Sequence, residues 1–176
     1  VWFHNPYVLA LGKTGPAPSN AKRVSLEHQH AVHDANYGGP RIHFLRCFYD
    51  IFNKQTGLQV PILRPHGDLH LAGKETMPLY KGRYWVLAAG HKRDVTIKQW
   101  GYAAWQALVD RLRGAGLNLV QTGSTATRCY NPKLQGVTDA VGCTQNERDL
   151  FSLIAHADGV VCGVSAAMHI AAAFEK

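Results

Sequence analysis

From residue 84 onward the chain alternates short apolar runs that end in glycine with longer stretches whose apolar residues recur every three or four positions. Tyr84-Trp-Val-Leu-Ala-Ala-Gly90 has the form of a buried parallel strand running into a loop, because a strand covered on both faces has no polar side to alternate with. From Thr96 to Gly114, Ile97, Trp100, Ala104, Leu108 and Leu112 fall on one helical stripe, with Thr96 placed to cap its start and Gly114 and Gly116 to end it. Leu117-Asn-Leu-Val-Gln-Thr-Gly123 reads as a second strand. Thr144-Gln-Asn-Glu147 has capping-box spacing ahead of a helix whose apolar face is Leu150, Phe151, Ile154 and Ala157. Gly159-Val-Val-Cys-Gly163 is a third strand, and Ala166 opens a further helix. Parallel strands need crossovers, so this order predicts an α/β fold with Rossmann-like parallel sheets covered by helices. Sheets of this kind take ligands beyond the carboxyl ends of their strands, which directs attention to residues 90–98, 121–125 and 163–169.

Before residue 80 the character differs. Pro16, Pro18, Pro40, Pro61, Pro65 and Pro78 punctuate this part, and seven of the ten histidines fall there. Helical spacing is confined to Ile42–Leu58, where Phe44, Leu45, Phe48, Ile51 and Phe52 recur on one face, and Val60-Pro-Ile-Leu-Arg-Pro65 reads as an extended exit. The expected boundary therefore lies near residue 80, dividing 1–80 from a Rossmann-like 81–176. The 176 residues are 46% hydrophobic, enough to build a core, and no run reaches the roughly 18 apolar residues of a membrane span. The first residues lack the basic start and long apolar segment of a signal peptide, so a cytoplasmic protein is expected. Cys47, Cys129, Cys143 and Cys162 stand far apart with no CxxC pair, as free thiols do.

The net charge of +7 points to an anionic partner, and its placement narrows the kind. Lys81, Arg83, Lys92, Arg93 and Lys98 face a single nearby acid, Asp94. This is a local anion-attracting segment, not the long basic stripe with interleaved aromatics of a nucleic-acid binder, so no nucleic acid is expected. Thr96 and Lys98 stand at a helix start, where free backbone N–H groups favour an anion. At the third exit, Cys162-Gly-Val-Ser-Ala-Ala-Met-His169 offers small side chains and the amides of a helix start, which let a phosphate approach the backbone. Taken singly, these two patterns are better accounted for by a solvated basic loop and by close helix–strand packing. Neither is a GxGxxG or GxxxxGK[ST] motif. The histidine cluster from Glu27 to Asp34 (His28, His30, His33) matches no strong zinc spacing, and no metal site is expected.

Taken together, Lys98-Gln-Trp100 after the first strand, the helix Arg148–Asp158, and Val164-Ser-Ala-Ala-Met-His169 followed by Ile170-Ala-Ala-Ala173 resemble the heptosyltransferase family of glycosyltransferases. The resemblance is good over 81–176 and weaker before it. It implies the GT-B fold, two Rossmann-like domains about a cleft, with this chain a partial one: the later part of the first domain and the first part of the second. It further implies a metal-independent enzyme without cofactor that takes a nucleotide-diphosphate sugar, such as one carrying a heptose, as donor. The acceptor would be a hydroxyl on a glycan, a lipid-linked core such as lipopolysaccharide, or a protein, reached from the cytoplasm with room for peripheral contact at the inner membrane face.

By the same resemblance Lys98 pairs with the donor diphosphate as the catalytic cation, assisted by Thr96. The backbone of Ser165, Ala166, Ala167 and Met168, with His169, cradles the phosphates, and Gln121, Thr122 and Gly123 border the nucleoside. The family's general base, an early aspartate, has no counterpart here. The family's Asp-Thr-Gly falls on Val164-Ser-Ala166, so a carboxylate is replaced by an alkyl group. The alternative is a non-catalytic nucleotide- or glycan-binding module of the same fold. A GT-B-like sugar epimerase would need carboxylates that the sequence does not place.

Overall fold

The structure is a computed structural model that describes residues 19–21, 24–25, 43–76, 78–94 and 98–176. The chain divides into two compact units, one holding Leu9–Pro65 and one holding His66–Lys176. The first is represented by helix α1, Phe44–Thr56. Its ends explain its length. His43 is extended and accepts a hydrogen bond on its ring from the Leu45 amide, and Gly57, at φ 76°, turns the chain out of the helix in the left-handed region. Cys47 is buried there with Phe48 and Ile51 packed against it. The Asn53 side chain brackets Val60, accepting from its N–H at 2.9 Å and donating to its carbonyl at 3.1 Å, which holds the extended exit against the helix end.

The second unit is a parallel α/β layer structure. Its strands are β1 (Trp85–Ala88), β2 (His91–Lys92), β3 (Leu119–Gly123), β4 (Cys129–Tyr130), β5 (Thr138–Val141) and β6 (Gly159–Cys162); its helices are α2 (Tyr102–Gly114), α3 (Glu147–Ala155) and α4 (Ala166–Ala173). Four strands form one parallel sheet in the order β5-β3-β1-β6, and β2 with β4 forms a short antiparallel ribbon. The sheet side chains divide by alternation. Val86 and Val120 face Phe151, Ile154, Ala167 and Ile170, so α3 and α4 cover one side; Leu87 and Leu119 face Trp105 and Val109, so α2 covers the other. Trp85 is in register with Gly159, where a Cβ would come within 2.6 Å of its ring, so only glycine fits beside it.

The expected strands 84–90, 117–123 and 159–163 are all present within a residue or two. The sheet has four strands, however, and not three: β5 carries only one buried residue, Ala140, and such a strand leaves no apolar run to read. Two helix starts also shift. Asn146, not Thr144, caps α3, its side chain accepting from the Asp149 amide at 3.1 Å while Asp149 accepts from the Gln145 amide at 2.9 Å. The helix expected from Thr96 begins at Tyr102, because Gly101 is extended (φ −56°, ψ 158°) and ends any helical run through Trp100.

The segment 70–76 packs on α3. Glu75 and Arg148 form a largely buried ion pair, Nε donating to Oε1 at 2.9 Å and Nη2 to Oε2, while Nη2 also donates to the His70 carbonyl at 2.6 Å. Ser152 Oγ donates to the Glu75 carbonyl at 3.0 Å. Burial of an ion pair is tolerated where hydrogen bonds satisfy the remaining atoms, as they do here.

Candidate functional site

Across the sheet the strands run third, second, first, fourth in chain order, the arrangement of doubly wound nucleotide-binding sheets. The chain leaves β1 toward α2 on one face and leaves the neighbouring β6 toward α4 on the other. The crevice at this reversal lies beyond the carboxyl ends of β1 and β6. A cleft of about 680 Å³ opens there, lined by Gly90, His91 and Lys92 after β1, Thr122 and Gly123 at the end of β3, and Ser165, Ala166 and Ala167 at the start of α4.

The expected site residues meet this cleft unequally. Ser165 is the N-cap of α4, extended, yet its hydroxyl makes no capping bond. It interacts instead with Cys162: burial pushes that thiol up, and the Ser165 hydrogen bond offsets part of the effect. The amides of Ala166 and Ala167 belong to a first turn that holds no acidic residue, and helix geometry leaves such amides without intrahelical acceptors. Met168 and His169 are exposed and outside the cleft wall. Thr122 is buried, lines the cleft, and its hydroxyl has no hydrogen-bond partner among the described residues. Gln121, one residue earlier, faces the α2 side, where Nε2 donates to the Pro132 carbonyl at 2.7 Å. Gly123 and Gly90 both abut the Asn131 side chain, with which a Cβ on either would collide.

Lys98 is exposed and precedes α2 by four positions, so it is not in the first turn of that helix as expected. Its carbonyl lies 3.8 Å from where a Cβ on Gly163 would stand, which brings the segment beside the β6 exit. Trp100, also exposed, meets Trp105 edge-on at 5.0 Å between ring centres. Thr96 and the histidine cluster 27–34 lie outside the described residues. Among the described residues no group of three or more His, Cys, Asp or Glu converges.

Among the cleft residues, Asn131 carries no signal of its own in the sequence, and Thr144 and Gln145 were marked only as a helix start; His91 and Lys92, within the first strand exit, are fixed by the ribbon to Tyr130 and Cys129. Asn131 Nδ2 donates to the Ser124 carbonyl at 2.8 Å and so holds the loop after β3.

A parallel sheet with this strand order and a cleft at its reversal, opening at a helix start, defines a Rossmann-like domain. Residues 12–176 match the model of glycosyltransferase family 9 (heptosyltransferase), and the chain belongs to that family. Among solved structures it is similar to E. coli ADP-heptose lps heptosyltransferase II, with 23% identity and TM-score 0.52 over 76% of this chain and 44% of that one. It is also similar to E. coli heptosyltransferase WaaC with ADP-2-deoxy-2-fluoro heptose and with ADP, in each case with 20% identity, TM-score 0.55, and coverage of 78% of this chain and 44% of that one. The fold is thus the GT-B fold of these enzymes, and the chain spans less than half their length. No curated protein matches the chain in sequence.

Proposed function

We propose that this chain carries the nucleotide-sugar side of a glycosyltransferase that moves a sugar, with a heptose as the first candidate, from a nucleotide diphosphate to an acceptor hydroxyl in cytoplasmic glycan or lipopolysaccharide synthesis. The observation that supports this most is the meeting, in one cleft, of the α4 amides at Ala166 and Ala167 with the buried, unpartnered hydroxyl of Thr122. A diphosphate would occupy the amides and accept from Thr122. As the glycosidic bond breaks, negative charge grows on the leaving diphosphate; fixed amides and a cation stabilise that charge more than they stabilise the ground state. Lys92 lines the cleft and Lys98 lies on the segment beside Gly163, so both are cations for this role. The acceptor oxygen attacks the anomeric carbon as the bond to the diphosphate breaks, and its proton passes to solvent or to the departing diphosphate.

Calorimetric titration with ADP, UDP and GDP and their sugar conjugates tests the reading, ADP being the nucleotide held by a solved neighbour. Binding of none of them would sink it. Lys98→Ala is expected to weaken diphosphate binding by about tenfold, the worth of one charge-assisted hydrogen bond; unchanged affinity would remove Lys98 from the site. A second reading, a binding module without transfer activity, is favoured by Val164, an exposed alkyl group where the sequence resemblance places a carboxylate. Nucleotide binding without release of nucleotide in the presence of sugar conjugate and acceptors would support that reading.

A further inference from the structure

On the α2 side of the sheet a second cavity, of about 880 Å³, opens against residues 131–135. It is a built cavity. Gln121, only 2% exposed, anchors the wall from the sheet through its bond to Pro132. Gln106 anchors it from α2, accepting from the Gln135 amide at 2.8 Å and donating to the Gln135 carbonyl at 3.2 Å. Two half-exposed tyrosines, Tyr102 at 47% and Tyr130 at 39%, line it. The Tyr130 ring is oriented by the Arg93 guanidinium, 5.7 Å from its centre, and by the His91 ring at 5.2 Å. Arg93 and Lys133 bring two positive charges to the lining against one carboxylate, Asp139.

Large aromatic faces that carry a hydroxyl, side-chain amides and a carboxylate around a preformed hollow suit a sugar ring, which offers apolar C–H faces and a rim of hydroxyls. The excess of cations selects among sugars. We propose that this cavity is a second carbohydrate site, for a saccharide bearing a carboxylate or phosphate, distinct from the donor cleft. The two hollows share the wall residues Ser124, Thr125, Cys129 and Asn131, but Arg93, Tyr102, Tyr130, Lys133 and Asp139 face only this one. Preorganisation of the wall lowers the ordering cost of binding.

The test is titration of the chain, by calorimetry and NMR, with a glucuronate-containing disaccharide, glucose 6-phosphate, a neutral disaccharide and inorganic phosphate. Acidic sugars are expected to bind at least about tenfold more tightly than the neutral sugar or phosphate alone, since each charge-assisted bond to Arg or Lys is worth about that much. Binding of only one acidic sugar supports the site and identifies its acid. Tyr102→Ala and the surface change Lys133→Ala should each weaken acidic sugar by about tenfold while ADP affinity stays unchanged. Equal affinity for neutral and acidic sugars, no binding by any, unaltered affinity in both variants, or parallel loss of ADP binding would overturn the proposal.

Discussion

Gly123 ends β3 and Gly90 lies two residues beyond the end of β1, both with no room for a side chain, because Asn131 packs against both and is held by its bond to the Ser124 carbonyl. Gly123→Ala should therefore destabilise the protein by about 1–3 kcal/mol, the usual cost of overpacking, and most of that loss should vanish in the background of Asn131→Ala. Denaturant melts of the two single variants and the double variant check this; additive losses would show that Asn131 is not the obstacle. Tyr84 makes a different point. Its hydroxyl donates to the Leu153 carbonyl at 2.8 Å, and burial foremost, then Tyr80 and Asp158, push its pKa up to about 12 from 10.0. The folded state thus keeps a proton that the unfolded chain releases, so this contribution to stability is complete below pH 10 and is lost as pH rises from 10 toward 12. Tyr84→Phe should cost about 1 kcal/mol at neutral pH and flatten the alkaline fall in the melting temperature. Both glycines were legible as strand endings, since each closes an apolar run. Their partner was not, because Asn131 reaches them from a segment without periodicity.

At the scale of elements, α4 begins without the usual cap. A serine N-cap is ordinarily worth about 1 kcal/mol, but Ser165 makes no capping bond and turns to Cys162. Ser165→Ala should accordingly change stability by less than about 0.5 kcal/mol and ADP affinity by less than about twofold, the amides being retained. A loss of 1 kcal/mol or more in a thermal melt would assign the hydroxyl a capping role after all. The helices themselves were legible from their stripes, and so was the start of α4 at Ala166, but the starts of α2 and α3 were not. Ile97 and Trp100 lie in phase with Ala104 and Leu108, yet Gly101 is extended and α2 opens only at Tyr102. Periodicity registers which side chains share a face and is blind to a single residue that breaks the backbone between them. β5 escaped for the opposite reason: it pairs through its backbone with β3 while showing one buried side chain.

For the molecule as a whole, ligand binding and stability are linked. ADP at about 100 times its dissociation constant should stabilise the folded chain by about 2.7 kcal/mol, and hydrogen exchange should slow most at the amides of β1, β3 and the start of α4. Protection confined to residues 43–65 would place the ligand elsewhere. What the sequence by itself determined is the class of the fold and the strand ends at which its cleft opens. Alternating apolar runs and amphipathic stretches report local burial, and a succession of parallel strands leaves few ways to connect them. Tertiary structure decided the rest: the position of β1 between β3 and β6, the opposition of Gln121 and Thr122 across the sheet in two separate hollows, the placing of Lys98 outside α2, and the entry of Lys92 and Asn131 into the cleft wall. Those features depend on contacts between residues distant in the chain, whose energies come from packing and hydrogen bonding in three dimensions and leave no periodic trace along it.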